Sequence, residues 1–215
     1  MQPTNVILVQ NPEIKIHLAN HAMLGPGNVF RTLDCSAIAV FLSDLEPQKR
    51  INRIVDLEKQ SNSRTKEYIA TLPLISSFLM GEGSMATTLK QFATHLMSPV
   101  QPMPTIDSIQ AWSYKNTSLM AQTFVLAATS HGLGTCLMEG YDSRRVQEVL
   151  RIPDRYNVPL MCCVGYEFEE SDHNKKNRAP RLELNEVFFS DAFGQELDLE
   201  RNENDILRDE KVHAQ

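Results

Sequence analysis

Long apolar runs are absent from this 215-residue chain. None approaches the roughly 18 to 20 residues that a helix needs to cross a bilayer, and the opening Met1-Gln2-Pro3-Thr4-Asn5 lacks the basic segment of a secretory signal. Neither membrane insertion nor export is expected, and the cytoplasm is the expected location. Cysteine is scarce as well. The four thiols Cys35, Cys136, Cys162 and Cys163 show no Cys-x-x-Cys spacing, so neither a disulfide framework nor a zinc pattern is expected. Cys162 and Cys163 sit inside the apolar run Leu160 to Val164 and read as buried thiols of a reducing compartment. Positive charge is in deficit, with 21 Lys and Arg against 27 Asp and Glu. Residues 191–215 hold eight acids and three bases, which is five of the six net negative charges. The remaining body is nearly neutral and has no basic stripe, which removes the counterion-release drive to nucleic-acid binding.

What is present is the composition of an ordinary globule, 42% hydrophobic and 22% charged, on a chain long enough to bury a real core. Asn5 to Val9 is a short β-branched run read as a strand, and Asn11-Pro12-Glu13 starts a helix over Ile14 to Ala22, with Pro12 suited to its first turn. Gly25-Pro26-Gly27-Asn28 reads as a break, and Ser36 to Leu42 as a second buried strand ending at Ser43-Asp44. Helical periodicity fills Pro47 to Leu96, with a mobile connection expected in the 60s. Three prolines at 99, 102 and 104 impose a linker. Ser108 to Leu133 is the most regular stretch, a long helix apolar nearly all round and stopped by Gly132-Leu133-Gly134, so it should be covered on every side. A strand at Thr135 to Met138, a helix at Ser143 to Leu150 and a strand at Val158 to Tyr166 follow. Few strands among many helices give an α+β or α/β class with one modest sheet.

Several constellations fail on inspection. Gly132-Leu133-Gly134 lacks the third small residue of a dinucleotide loop, since Leu137 stands there, and it follows a helix instead of a strand. Gly81-Glu82-Gly83-Ser84 lacks the lysine of a phosphate loop. His17 and His21 have a zinc-capable spacing, but Ala19-Asn20 stands where a metalloprotease helix carries its glutamate. Ser130 and His131 point about 100° apart on a helix and cannot pair. Hydrolase chemistry has no visible apparatus. Two features stay open. Gly140 in Met138-Glu139-Gly140-Tyr141-Asp142 follows a strand, where a missing Cβ either makes a plain turn or lets a flat ligand approach backbone groups. The cluster Lys175-Lys176-Asn177-Arg178-Ala179-Pro180-Arg181 is either a solvated loop or a phosphate grip.

Taken in order, Trp112 to Asn116, Gln122-Thr123-Phe124, Leu126-Ala127-Ala128, His131 to Thr135, Met138 to Asp142, Ile152-Pro153, Val164-Gly165-Tyr166 and Arg178-x-x-Arg181-Leu182 resemble the FMN-dependent nitroreductase family. The resemblance runs over residues 1–190, strongest from 112 onward, with residues 191–215 as an acidic polar tail. It implies an α+β fold with a mixed sheet flanked by helices and FMN at a homodimer interface. Glu139 and Gly140 would then sit beside the flavin ring, the Gly140 amide near flavin N5. Lys176, Arg178 and Arg181 would hold the phosphate, with Asn28, Arg31 and Gln2 as further cofactor contacts. NAD(P)H would be the co-substrate and a nitroaromatic, quinone or similar small molecule the acceptor. No side chain is implied as acid, base or metal ligand. Family members begin with a basic flavin-gripping helix, and the opening Met1-Gln2-Pro3 resembles the turn that follows it, so the chain reads as a shortened member. A non-catalytic truncated subunit serving as a dimerisation partner is the alternative.

Overall fold

The computed structural model describes residues 2–61, 63–79, 84–166 and 179–196. The chain divides into two units, Met1–Glu167 and Phe168–Gln215. The first unit is built on a sheet of four strands, β1 (Thr4–Val9), β2 (Ala37–Asp44), β3 (Gly134–Met138) and β4 (Tyr156–Gly165), in the order β1-β2-β4-β3. All three pairings are antiparallel. The α+β class is therefore present, while the mixed character expected of the sheet is not seen among the described strands.

The burial patterns follow from that order. β2 lies between two strands and is covered on both faces, so all eight of its residues are buried, which explains its unbroken apolar run. Alternation divides it: Ile38, Val40 and Leu42 join Leu18, Val146, Met161 and Cys163 in one cluster. Ala39 and Phe41 face the other way, with Cys162 and Ala121. β1 is an edge strand and leaves Val6 and Leu8 exposed.

Helix α1 (Pro12–His21) is started by Asn11, whose side chain accepts from the amides of Glu13 and Ile14, with Pro12 in the first turn as expected. Helix α2 (Gly25–Asp34) stands where Gly25-Pro26-Gly27-Asn28 suggested only a break. The correction is physical: proline is at home in a first helical turn, and Gly25 at φ +72° opens the helix just before it. A short 3₁₀ helix at Pro47–Arg50 leads into α3 (Ile51–Ser61), α4 (Lys66–Leu79) and α5 (Ser84–Met97). The connection expected across the 60s is confined to the few residues between Ser61 and Lys66.

Helix α6 (Ile109–Ser130) is capped by the Ser108 hydroxyl accepting from the Ala111 amide at 3.1 Å. It ends in a Schellman turn, with Gly132 at φ +71°, its amide on Thr129 and the Leu133 amide on Ala128. Gly132 is thus the helix stop expected from the sequence. Its buried residues, however, are the small ones: Ser113, Thr117, Ala121 and Ala128. Leu119, Met120 and Leu126 point outward and are exposed. Among the described residues, nothing covers that outward face. Small residues let the helix axis approach the sheet, where Phe124 meets Phe41 edge-on at 5.7 Å. Helix α7 (Ser143–Leu150) is capped by Asp142. Among the described residues, no helix is long and apolar enough to cross a membrane. In the second unit, α8 (Leu184–Val187) begins where the Glu183 amide donates to Glu186 Oε2 at 2.8 Å.

Candidate functional site

Gly140 lies in the loop between β3 and α7, and backbone bonds on both sides hold that loop against the turn from α1 to α2. The Leu24 amide donates to the Gly140 carbonyl at 2.9 Å, and the Asp142 amide to the Ala22 carbonyl at 2.7 Å. Tyr141, buried between them, donates its hydroxyl to the Val158 carbonyl at 2.9 Å. Burial and then the neighbouring Glu139 carboxylate push that phenol far up, so it stays protonated and remains a donor. Asp142 closes the segment by accepting from the amides of Arg144 and Arg145, which starts α7.

Asn28 meets this loop from α2. Its Nδ2 donates to the Leu24 carbonyl at 2.8 Å. A Cβ at Gly140 would overlap that same nitrogen, and its carbon would stand 3.1 Å away. The missing side chain therefore makes room for Asn28 itself, a third reading beside the plain turn and the flat ligand. No hydrogen bond among the described residues uses the Gly140 N–H. Glu139 is exposed beside it.

Arg31 follows Asn28 by one helical turn on the same face of α2. Its guanidinium bends back over Gly27 and forms no ion pair among the described residues. It lines an open cleft of about 260 Å³ with Phe30, Cys35, Cys136, Cys163 and Tyr166, where the ends of β3 and β4 meet α2. Of the expected cofactor contacts, Asn28, Glu139 and Gly140 are thus brought together, and Arg31 is carried on by the same helix. Gln2 is elsewhere. Its carbonyl accepts from Arg50 at 2.8 Å at the start of β1, and β1 and β3 are opposite edges of the sheet. Arg181, in the second unit, is exposed and donates to the Ala179 and Pro180 carbonyls at 3.2 Å. Lys176 and Arg178 lie outside the described residues.

The thiols of the cleft had no signal in the linear sequence. Cys136 and Cys163 are directly opposed in the β3–β4 register, and Cys35 follows α2 as its C-cap. Cys35 and Cys136 are only half-buried, whereas Cys162 and Cys163 are buried as expected. Among the described residues, no group of His, Cys, Asp and Glu is arranged to hold a metal ion. His17 and His21 pack ring against ring at 4.3 Å.

This geometry has counterparts. Residues 93–166 match the model of the nitroreductase family, a span that contains α6, β3, the Gly140 loop and β4. Over 66 residues the chain is 38% identical to MhqN of Bacillus subtilis, provisionally named an NAD(P)H nitroreductase. That match covers 31% of this chain and 32% of the relative, so the aligned stretch spans about a third of the relative's length. A protein of Exiguobacterium sibiricum, provisionally called a nitroreductase and solved in complex with FMN, shares the fold at a TM-score of 0.66 and 18% identity, over 87% of this chain and 76% of that one. A nitroreductase family protein of Streptococcus pneumoniae shares it at 0.60 and 21% identity, over 86% and 78%. The resemblance to the nitroreductase family read from the sequence is shown across residues 93–166, and the fold is shared across most of the chain.

Proposed function

We propose that the chain is a flavin-dependent oxidoreductase, using FMN to pass hydride from NAD(P)H to a small acceptor such as a nitroaromatic or a quinone. The observation that supports it most is the Gly140 N–H, without a partner among the described residues, clamped by Asn28 inside the segment that matches the family. A planar cofactor with an electron-accepting edge and a phosphate needs a fixed donor at the ring and cations at the tail. Gly140 offers the first, and Arg31, without an ion pair among the described residues, offers one of the second. The residues present fit the group.

The chemistry that the bound cofactor supplies is hydride exchange at flavin N5. The chain's own part is positioning. The Gly140 N–H would donate at the ring edge, where a donor favours the electron-rich form. Asn28 would hold Gly140 in place, and the exposed Glu139 would flank the ring. Arg31 would bind the phosphate. No residue need act as acid or base, because orientation of stacked reactants carries the rate. The exposed Leu119, Met120 and Leu126 on α6 support a homodimer in which a second copy covers that face. The placement of Gln2 on the sheet edge opposite Gly140 favours a second reading, a non-catalytic flavoprotein subunit that serves as a dimerisation partner.

Titration of the purified protein with FMN, followed by visible absorption and fluorescence quenching, tests the first reading. Near-stoichiometric binding with perturbed flavin bands is expected, and protein that leaves the flavin spectrum unchanged would overturn it. Steady-state oxidation of NADH or NADPH in the presence of FMN would eliminate the second reading. An acceptor panel with turnover on nitroaromatics and quinones alone would exclude other flavin chemistries.

A further inference from the structure

The cleft beside Arg31 brings together three thiols that are far apart in sequence. Cys35 is half-buried at its rim and Cys163 is buried at its floor, with Cys136 facing Cys163 across the strand pair. The Cys163 sulfur and the Cys35 amide share one acceptor, the Arg31 carbonyl, at 3.4 Å and 3.1 Å, and the Cys163 sulfur also reaches Met138 Sδ at 3.8 Å. A thiol has one proton to donate, so ionisation of Cys35 would draw that proton toward it. Lys15 adds to this. Its side chain is nine-tenths buried, and its ammonium donates to the carbonyls of Leu33, at 3.2 Å, and of Cys35. A buried cation and a thiol donor thus converge on the one cysteine of the pair that faces solvent.

We propose that Cys35 and Cys163 form a redox-active thiol pair, with Cys35 the nucleophile toward hydroperoxides and Cys163 the resolving thiol. The Cys35 thiolate attacks the peroxide. An S–O bond forms, the O–O bond breaks, and the released alkoxide or hydroxide takes a proton and leaves as alcohol or water. Cys35 is then a neutral sulfenic acid. The Cys163 sulfur attacks it, an S–S bond forms, and the sulfenic oxygen leaves as water with the thiol proton. Two thiols are oxidised to a disulfide and one peroxide is reduced. The environment supports this division of roles. The Cys163 hydrogen bond, ahead of the Lys15 charge, lowers Cys35 to about 7. Cys163 is pushed far up by its bond to Cys35 and by burial, and burial raises Cys162 to about 11. The like charge that restrains Cys163 vanishes once Cys35 is a sulfenic acid.

The pair does not depend on the flavin reading, and its test uses the whole chain with no flavin added. The protein is treated with substoichiometric hydrogen peroxide, blocked with iodoacetamide, digested without reductant and mapped by mass spectrometry. A peptide linking Cys35 to Cys163 within one chain is expected. In Cys163→Ala, Cys35 should instead accumulate as a sulfenic acid trapped by dimedone, and Cys35→Ser should remove both products. In the untreated protein, Cys35 should be alkylated at neutral pH at least about tenfold faster than Cys162. Oxidation spread evenly over the four cysteines, a bond through Cys136, or a link only between chains would each overturn the proposal. Should Cys163→Ala fail to fold, the wild-type linkage map and alkylation rates decide the matter alone.

Discussion

At one end of the sheet, where β2 runs out, the Asp44 carboxylate is fully buried between Arg155 at 2.5 Å and Arg50 at 3.0 Å. Its amide donates to the Pro3 carbonyl, and its carbonyl accepts from Ser113 at 2.8 Å. At the other end lie Arg31 without an ion pair among the described residues, three thiols and an open cleft. The first end gathers opposite charges that satisfy one another and tie β1, β2, β4 and α6 together. The second gathers a cation without an ion pair among the described residues and thiols that line an open cleft. Chemistry is expected where polar groups face space, and rigidity where they face each other.

The largest effect should come from breaking the locked end. Asp44→Asn leaves two arginines without their carboxylate and should lower stability by about 3 kcal/mol, the low end for a broken buried pair because both arginines keep some access to water. Urea denaturation measures this, and Cys35 alkylation should be unaffected. An unchanged midpoint would show that the arginines relax into solvent. The two faces of α6 offer a second contrast. Ala121→Leu should lose about 1 to 3 kcal/mol by overpacking against the sheet. Leu119→Ser with Leu126→Ser should change monomer stability by less than about 1 kcal/mol while shifting sedimentation from dimer to monomer.

Smaller effects sharpen the open end. Gly140→Ala should push Asn28 aside and weaken FMN binding about tenfold, a difference of about 1.4 kcal/mol, with little change in thermal midpoint. Equal affinity in calorimetry would remove Gly140 and Asn28 from the site. Cys35 alkylation should rise with pH through a midpoint near 7 and level off above it, since the thiolate is the reactive form. Lys15→Met should move that midpoint upward, because a charge favouring the anion is lost. An unmoved midpoint would assign the activation to Cys163 alone.

Much of the fold was legible because its signals are local. The start of α1 at Asn11-Pro12, the Gly132 stop of α6 and the Asp142 start of α7 each depend on a few neighbouring residues and their backbone angles. Helix α2 was missed because Gly25-Pro26-Gly27 carries the same punctuation at a helix start as at a break. Which face of α6 turns outward was not legible for another reason. Composition records that a helix is apolar but not which residues a sheet selects, and the sheet selected Ser113, Thr117, Ala121 and Ala128 because small side chains allow close approach. Asn28, Glu139 and Gly140 were named from the ordered motifs of a family, yet nothing in their spacing showed that Asn28 occupies the room Gly140 leaves.

The amino-acid order by itself determined where helices and strands begin, end and alternate, since those choices follow from side-chain period and from residues that cap or break a turn. It also determined that the body carries almost no net charge. Which distant residues share a site was decided only by tertiary structure. Placing β4 between β2 and β3 sets Cys163 opposite Cys136, and the return of α2 brings Asn28 to Gly140 and Arg31 and Cys35 to the cleft. Those meetings depend on strand order and on packing, between residues 27 apart in the chain for Cys136 and Cys163 and 112 apart for Asn28 and Gly140, a range over which no local preference acts.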